Sequence, residues 1–201
     1  LIRYVIDLSI QAKLEFACTD SLPRSIWEEY VLNYANLNEA RNNIRRLLWE
    51  RLVTPLFLNA TTTNDVNVKE HQSTSETVQI INTRMWKMLA PVGAESLIFV
   101  SGQTPAIFDP MSVLAFGYAS CTGHSVLLVQ ALRAAGVPAR VAGTAAWNGV
   151  RDNGNHNWVH VWTDGCWKFL EPSPGQVTTD TFAIKSGWTV RNFMPLVYGQ
   201  L

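Results

Sequence analysis

The sequence predicts an α+β fold in which a helical lobe packs against an antiparallel sheet. Apolar residues recur at helical spacing through the first third of the chain and again over residues 120–135, whereas short β-like runs follow. The last two of these runs flank Asp164-Gly165, a dipeptide typical of two-residue hairpins. No repeat or composition break marks a linker. We therefore expect one domain over residues 1–201, with a mostly helical lobe over 1–110 and the buried helix plus the sheet over 111–201.

Two helices are predicted in the first third of the chain. Apolar side chains follow helical spacing over residues 22–34 and again over residues 38–54. Asn38 is expected to cap the second of these helices, and Pro55 is expected to end it. A polar, aperiodic segment rich in Asn and Thr over residues 59–72 predicts a surface loop.

The remaining elements are predicted from caps and from short apolar runs. Ser73 and Glu76 form a capping-box pattern, which predicts a helix that stops before Pro91. A strand-like run follows at Leu97–Val100. Gly136 and Pro138 are expected to close the buried helix. The β-like runs after it cover residues 139–145, 155–162 and 166–170.

Composition excludes several classes of protein. The 16 basic and 16 acidic side chains cancel, so there is no surplus of positive charge with which to neutralise a nucleic acid. The hydrophobic fraction of 47% is enough for a buried core, and no apolar stretch is long enough to cross a membrane. An Asn59-Ala60-Thr61 sequon slightly favours a secreted, periplasmic or lumenal location, whereas a free thiol favours the cytoplasm.

The cysteines supply a candidate nucleophile. Cys18, Cys121 and Cys166 are odd in number, so at least one of them is free. Cys121 stands at the start of the predicted buried helix, where the helix dipole and unpaired N–H groups favour a thiolate. The same N–H groups could form an oxyanion hole. The alternative is that Cys121 is a small buried apolar residue.

The predicted hairpin supplies a candidate base and acid. A two-residue loop at Asp164-Gly165 puts His160 opposite Phe169 and Trp158 opposite Glu171. His156 and Glu171 then share one face as diagonal neighbours, within reach of each other's side chains. A carboxylate there would fix the imidazole tautomer and raise the basicity of its other nitrogen. The alternative is a structural contact on the surface of a sheet.

Two segments resemble the transglutaminase-like superfamily. They are SCTGHSVLLVQALRAAGVPARVAG, which contains Cys121, and NHNWVHVWTDGCWKFLEPSPG, which contains His156 and Glu171. The resemblance covers about residues 113–175 and implies a papain-like fold. It also implies a catalytic Cys121, His156 and Glu171, although the family commonly has Asp-Pro-Thr where this chain has Glu171-Pro172-Ser173.

The resemblance is to compact, bacterial-type members, and it implies a cysteine-dependent acyl-transfer enzyme. Amide or peptide hydrolysis with a Cys-His-Glu triad comes first, and glutamine transamidation with an amine acceptor is an alternative. A non-catalytic binding module that keeps the fold is the competing interpretation. The expected partner is a peptide or protein substrate, with no nucleic acid, and the oligomeric state is left open.

Several other residues are candidates for secondary roles. Trp158 and His160 share the predicted face with His156, His124 lies one helical turn after Cys121, and these three with Gln103 are candidates for substrate binding. The family usually completes the oxyanion hole with a side chain upstream of the nucleophile, for which the candidates are Gln103, Tyr118 and Trp86. No cofactor and no metal are expected, because the Cys and His residues lack metal-binding spacing and no calcium loop is present.

Overall fold

A computed structural model describes residues 2–16, 21–59, 73–174 and 196–197 of the chain. The α-helices are α1 (Ile2–Glu15), α2 (Arg24–Tyr30), α3 (Ile44–Leu48), α4 (Thr74–Met88), α5 (Pro110–Phe116) and α6 (Cys121–Ala134). The strands are β1 (Ile98–Phe99), β2 (Tyr118–Ala119), β3 (Ala139–Thr144), β4 (His156–Thr163), β5 (Cys166–Leu170) and β6 (Leu196–Val197). The predicted α+β class is confirmed, since a group of helices packs against an antiparallel sheet.

The predicted bounds of the helix over residues 38–54 are wrong at both ends. Helix α3 begins only at Ile44, because Glu39 folds back and accepts hydrogen bonds from the backbone N–H groups of Asn36 and Leu37. The helix then continues as a π-helical stretch, Trp49–Leu58, which contains Pro55 in its interior. A proline disrupts the bonding of a regular α-helix, and here the chain accommodates it in wider turns instead of ending.

Helix α6 is the centre of the molecule. Every residue from Thr122 to Ala134 is buried, and α6 contacts the helices α1, α3, α4 and α5 as well as the strands β3 and β4. The predicted glycine closure is present, because Gly136 adopts a left-handed conformation with φ of 76°. The N–H of Val137 donates to the carbonyl of Leu132, and that of Gly136 donates to Arg133, which is the Schellman pattern.

The four-stranded sheet has the order β5-β4-β3-β6. Its β4–β5 hairpin has the predicted register, with Trp162 opposite Trp167 and His160 opposite Phe169. Asp164 and Gly165 both have positive φ, 54° and 76°, as a type I′ turn requires. The pairing ends at Leu170, so Glu171 lies just beyond the ladder.

Two buried guanidinium groups hold the other end of α6 to the first third of the chain. Arg133 donates to the carbonyls of Asn33, Ala35 and Ala139. Arg45 donates to the carbonyls of Asn33 and Arg133, among others. Burial lowers the pKa of Arg45 to about 9 and that of Arg133 to about 10. The carbonyl oxygens compensate for the lost hydration of the two cations, and this orients α6 in the helical lobe.

Candidate active site

Cys121 is the first residue of α6, and the turn before it is built from short elements. Asp109 caps α5, Gly117 ends that helix with φ of 79°, and β2 then leads to Ser120. Ser120 occupies the N-cap position of α6, but its hydroxyl makes no capping hydrogen bond. It is instead bonded to the hydroxyl of Thr104 at 2.6 Å. Ser120 therefore does not cap the first N–H groups of α6, and an anionic group at Cys121 meets the positive end of the helix.

The imidazole of His156 lies against the carboxylate of Glu171. The distances from its Nε2 to the two carboxylate oxygens are 3.1 and 3.2 Å. This contact requires Nε2 to carry a proton. The other ring nitrogen is left for Cys121, whose side chain is hydrogen-bonded to His156. The structure thus brings together the three side chains that the sequence marked as nucleophile, base and acid.

The pKa values of Cys121 and His156 shift in opposite directions. Burial of the thiol opposes its ionisation, but hydrogen bonds from the His156 side chain and the Asn157 backbone outweigh burial and lower the pKa of Cys121. Burial of the imidazole likewise opposes its charge. Hydrogen bonds to Cys121 and Glu171 outweigh that effect and raise the pKa of His156 to about 9. Both shifts favour the thiolate–imidazolium pair over the neutral thiol and imidazole.

Asn157 joins the strand to the helix next to this pair. Its Nδ2 donates to the hydroxyl of Thr122 at 2.7 Å, while its backbone N–H bonds to Cys121. Gly143 on β3 makes room for it, because a Cβ at Gly143 would lie 2.1 Å from Asn157 Oδ1 and 2.9 Å from the carbonyl oxygen of His156. Asn157 and Gly143 were not marked by sequence reasoning. A polar residue at an inward position of β4 was the available signal.

Asn82 on α4 holds the segment that carries Glu171. Its Nδ2 donates to the carbonyl of Glu171 at 2.9 Å, and its Oδ1 accepts from the N–H of Ser173 at 3.3 Å. The residue is only 3% exposed. Sequence reasoning missed it, although Asn82 interrupts the apolar stripe of α4 between Val78 and Met85, and a buried amide needs partners.

Two aromatic residues pack around the imidazole. Trp147 lies 4.2 Å from His156 between ring centroids, and Trp158 stacks on it from the same strand at 6.1 Å. Trp147 was not marked by sequence reasoning, since it lies in a short 3₁₀ turn outside the recognisable motifs. The two rings give the imidazole apolar neighbours beside its contact with Glu171.

Two cavities meet at Cys121. The first, here called the proline cavity, has a volume of about 290 Å³ and is lined by Phe99, Cys121, His124, His156, Glu171, Pro172, Ser173 and Pro174. The second, here called the hydroxyl cavity, has a volume of about 380 Å³. It is lined by Phe99, Ser101, Gly102, Thr104, Ser120, Cys121, Thr122, Trp147, Asn153, Gly154, Asn155 and His156. Phe99, which is 56% exposed, belongs to both walls and was not marked by sequence reasoning.

The candidates for secondary roles fall into two groups. His124 lines the proline cavity, whereas Trp158, His160 and Gln103 line neither cavity. Trp158 is 1% exposed and packs between the rings of His156 and His160.

Three residues were predicted as alternatives for the oxyanion hole. The Nε1 of Trp86 donates to the carbonyl of Asn82 within α4, so it is already engaged. Gln103 accepts from the N–H of Ile107 through its own carbonyl, and Tyr118 pairs with Ile98 in the short parallel sheet. Neither Gln103 nor Tyr118 lines the two cavities, so neither is singled out for the role.

Cys121 and Cys166 are free thiols, and Cys18 lies outside the described residues. Within the described residues, no three His, Cys, Asp or Glu side chains are grouped to hold a metal ion. In the same part of the chain, no helix is both long and apolar enough to span a membrane.

Comparisons with known proteins include a match to a family model. The family model of the transglutaminase-like superfamily matches residues 65–172, which is more than half of the chain. The match bears out the resemblance seen in the sequence and, with the helical lobe and the antiparallel sheet, the predicted papain-like fold. None of the curated proteins matches the sequence.

Two solved structures are similar to the chain. One is a candidate cysteine protease from Cytophaga hutchinsonii, with 14% identity and a TM-score of 0.49 over 81% of this chain. The other is a TGase, with 15% identity and a TM-score of 0.39 over 76% of this chain. The chain spans about half the length of both, 46% and 44%.

Proposed function

The chain belongs to the transglutaminase-like superfamily, and on that premise we propose that it is a cysteine-dependent acyl-transfer enzyme that hydrolyses amide or peptide bonds. Cys121 is the nucleophile, His156 is the general base and acid, and Glu171 orients the imidazole. The observation that carries the proposal is the continuous contact from the Cys121 thiol through the His156 ring to the Glu171 carboxylate. A nucleophile, a base and an orienting acid are the minimum set for covalent acyl transfer.

In the acylation step, the Cys121 thiolate attacks the carbonyl carbon of the substrate amide. The carbonyl oxygen becomes an oxyanion, and the uncapped N–H groups at the start of α6 are suited to stabilise it. When the C–N bond breaks, the His156 imidazolium gives its proton to the departing amine. The products of this step are a thioester on Cys121, a neutral imidazole and a free amine.

Deacylation reverses the use of the imidazole. Neutral His156 takes a proton from a water molecule, whose oxygen attacks the thioester carbonyl. The C–S bond breaks, which releases a carboxylic acid and restores the thiolate–imidazolium pair. An amine in place of water would give a new amide by the same steps, which is the transamidation alternative.

The first test is the reactivity of Cys121 toward iodoacetamide from pH 5 to 10, followed by peptide mapping. We expect Cys121 to react at pH 6 to 7, because its pKa is below that of an ordinary thiol. His156→Ala removes the base and the positive charge, so alkylation near pH 6.5 should slow by about tenfold or more. Cys166, which is exposed on the hairpin, serves as the control thiol within the same chain.

The competing binding module predicts a different result. Cys121 would then ionise near the ordinary value of about 8.5, and His156→Ala would leave its alkylation rate unchanged. Either finding would overturn the activated nucleophile. Cys121→Ala, for which no alkylation at this position is possible, gives the baseline for the peptide map.

The second test identifies the acyl acceptor. The protein is incubated with casein and a fluorescent primary amine, with Cys121→Ala as the matched control. New amino termini that depend on Cys121 would support hydrolysis. Amine incorporation without new termini would instead support transamidation and would overturn the hydrolase assignment.

A further inference from the structure

His124 is a buried histidine that the proposed mechanism does not use. It lies on α6 one turn after Cys121, is 1% exposed, and forms part of the wall of the proline cavity. Its ring stands edge-on to Trp86 at 5.1 Å and tilted against Phe99 at 6.2 Å. Burial lowers the pKa of His124 to about 4, so the ring is neutral at physiological pH.

The Nε2 of His124 has no hydrogen-bond partner among the described residues. Leaving a buried polar atom unpaired costs free energy, and an apolar side chain of similar size would fill the same space without that cost. The two aromatic neighbours offer apolar contacts that suit such a side chain equally well. A structural role alone therefore does not account for an imidazole at this position.

The location of His124 indicates which group could be the hydrogen-bond partner of its Nε2. The proline cavity begins at Cys121 and His156, so a group bound there lies next to the reacting carbonyl. Phe99, Pro172 and Pro174 make much of its wall apolar. The acid and the base in the wall of this cavity, Glu171 and His156, are hydrogen-bonded to each other. A charged ligand would lose its hydration there without gaining a dedicated counter-ion.

We propose that the proline cavity is a substrate subsite and that His124 gives it a preference for an uncharged group that forms hydrogen bonds, such as a hydroxyl or an amide. This inference rests on the proposed role of Cys121 as the reactive thiol. A site whose buried polar atom needs a partner rejects an analogue that lacks one, whereas an apolar pocket discriminates weakly between similar shapes. His124 is thus a specificity-determining residue and takes no part in the bond-making steps.

Three alkylating probes of similar size test the preference. They are the chloroacetamides of 3-hydroxypropylamine, butylamine and 1,3-diaminopropane, which end in a hydroxyl, a methyl and an ammonium group. Alkylation of Cys121 is measured by mass spectrometry as a second-order rate for each probe. In the native protein we expect the hydroxyl probe to react about tenfold faster than the butyl probe. The ammonium probe should be slower than the hydroxyl probe.

Variants assign the preference to His124. In His124→Leu and His124→Met the ratio of hydroxyl to butyl rates should fall to about one, whereas His124→Gln keeps a polar group and should retain part of it. Asn155→Ala alters the hydroxyl cavity alone and should leave the ratio unchanged. An unchanged ratio in both apolar variants would overturn the role of His124. A native protein that shows no preference, or that prefers the ammonium probe, would overturn the subsite without any variant.

The rate of the native protein with iodoacetamide tests the proposed function separately from this inference, because it reports whether Cys121 is a reactive thiol at all. If Cys121 of the native protein reacts with iodoacetamide no faster than an ordinary thiol, the proposed function fails. If it reacts rapidly but without selectivity among the three probes, only the subsite fails. The apolar variants should keep the native rate with methyl iodide, which carries neither a hydroxyl nor an amide, because His124 contributes to the pKa of neither Cys121 nor His156.

Discussion

Helices α4 and α6 both begin after a serine, but the hydroxyl of the first serine caps its helix and that of the second does not. Ser73 closes a complete capping box with Glu76, in which each side chain bonds to the backbone N–H of the other residue. Ser120 stands at the equivalent position of α6, yet its hydroxyl turns away to Thr104. The start of α4 thus has a local cap, whereas the N–H groups at the start of α6, beside Cys121, receive no hydrogen bond from the Ser120 side chain.

The comparison shows that residues close in sequence determine the start of α4, whereas residues from distant segments determine the surroundings of Cys121 at the start of α6. The cap of α4 is local, since it involves residues three apart, and it needs no other part of the molecule. The environment of Cys121 depends on β4, on the turn after β5 and, through Asn82, on α4 itself. Substitutions at the start of α4 should therefore change the free energy of unfolding, whereas substitutions around the start of α6 should change the reactivity of Cys121.

Replacing the acid is expected to have the largest effect. Glu171→Gln keeps a side chain of the same length but removes the negative charge that faces Nε2 of His156. We expect kcat/KM to fall by about 10²- to 10⁴-fold, because the imidazole loses both its orientation and the stabilisation of its charged form. The free energy of unfolding, measured by urea denaturation, should change far less than activity. Glu171→Ala, which also removes the hydrogen bond, should lower activity at least as much, and full activity in Glu171→Gln would show that the charge is not used.

The pH dependence should follow the same pair of residues. The pKa of His156 is raised to about 9, so the imidazolium persists below that pH and is lost above it. We expect kcat/KM to fall about tenfold for each pH unit above 9, as one proton is lost from an essential group. On the acid side, activity should fall as the pH drops through the lowered pKa of the Cys121 thiol. In Glu171→Gln the alkaline limit should move to lower pH, and an unchanged alkaline limit would contradict the role of the carboxylate.

Asn82 lies on α4, but its side chain contacts the segment that carries Glu171. Asn82→Ala removes two hydrogen bonds that hold the backbone on either side of Pro172. We expect activity to fall by about tenfold as Glu171 loses its position. A shift of the alkaline pH limit toward that of Glu171→Gln should accompany this loss.

Thr77→Ala provides the control, because Thr77 is also buried on α4, but among the described residues its hydroxyl donates to the carbonyl of Ser73 and not to the segment that carries Glu171. Thr77→Ala should lower the free energy of unfolding without shifting the alkaline pH limit of activity. If Asn82→Ala loses stability alone and keeps its pH profile, then Asn82 is structural and does not position Glu171.

The parts of the molecule that the sequence predicted are those with local signals. The register of the β4–β5 hairpin follows from Asp164-Gly165, and the approach of His156 to Glu171 follows from that register. The capping box at Ser73 was predicted for the same reason, since both of its partners lie within one turn. Helix α5 also has a local signal that was not used, because Asp109 followed by Pro110 is a typical N-cap and first residue.

Some of the parts that were missed depend on contacts between distant segments, and the others have weak or competing local signals. Asn82 meets Glu171 across 89 positions, and Arg45 meets Arg133 across 88, so no window of sequence contains both partners. Helix α1 has apolar residues on both its buried and its exposed faces, so its periodicity is weak. The late start of α3 follows from Glu39, whose carboxylate stabilises a turn where apolar spacing alone predicted helix.

The smallest expected effects compare the two serines directly. Ser73→Ala removes the capping box and should lower the free energy of unfolding by about 1 kcal/mol without changing the alkylation rate of Cys121. The double variant Ser120→Ala with Thr104→Val removes both partners of the second hydroxyl contact, so no polar atom is left unpaired and the cost should be about 0.5 kcal/mol or less. Urea denaturation of the two variants measures the difference. A cost in the double variant equal to that of Ser73→Ala would mean that Ser120 caps α6 in solution, and the N–H groups beside Cys121 would then be occupied.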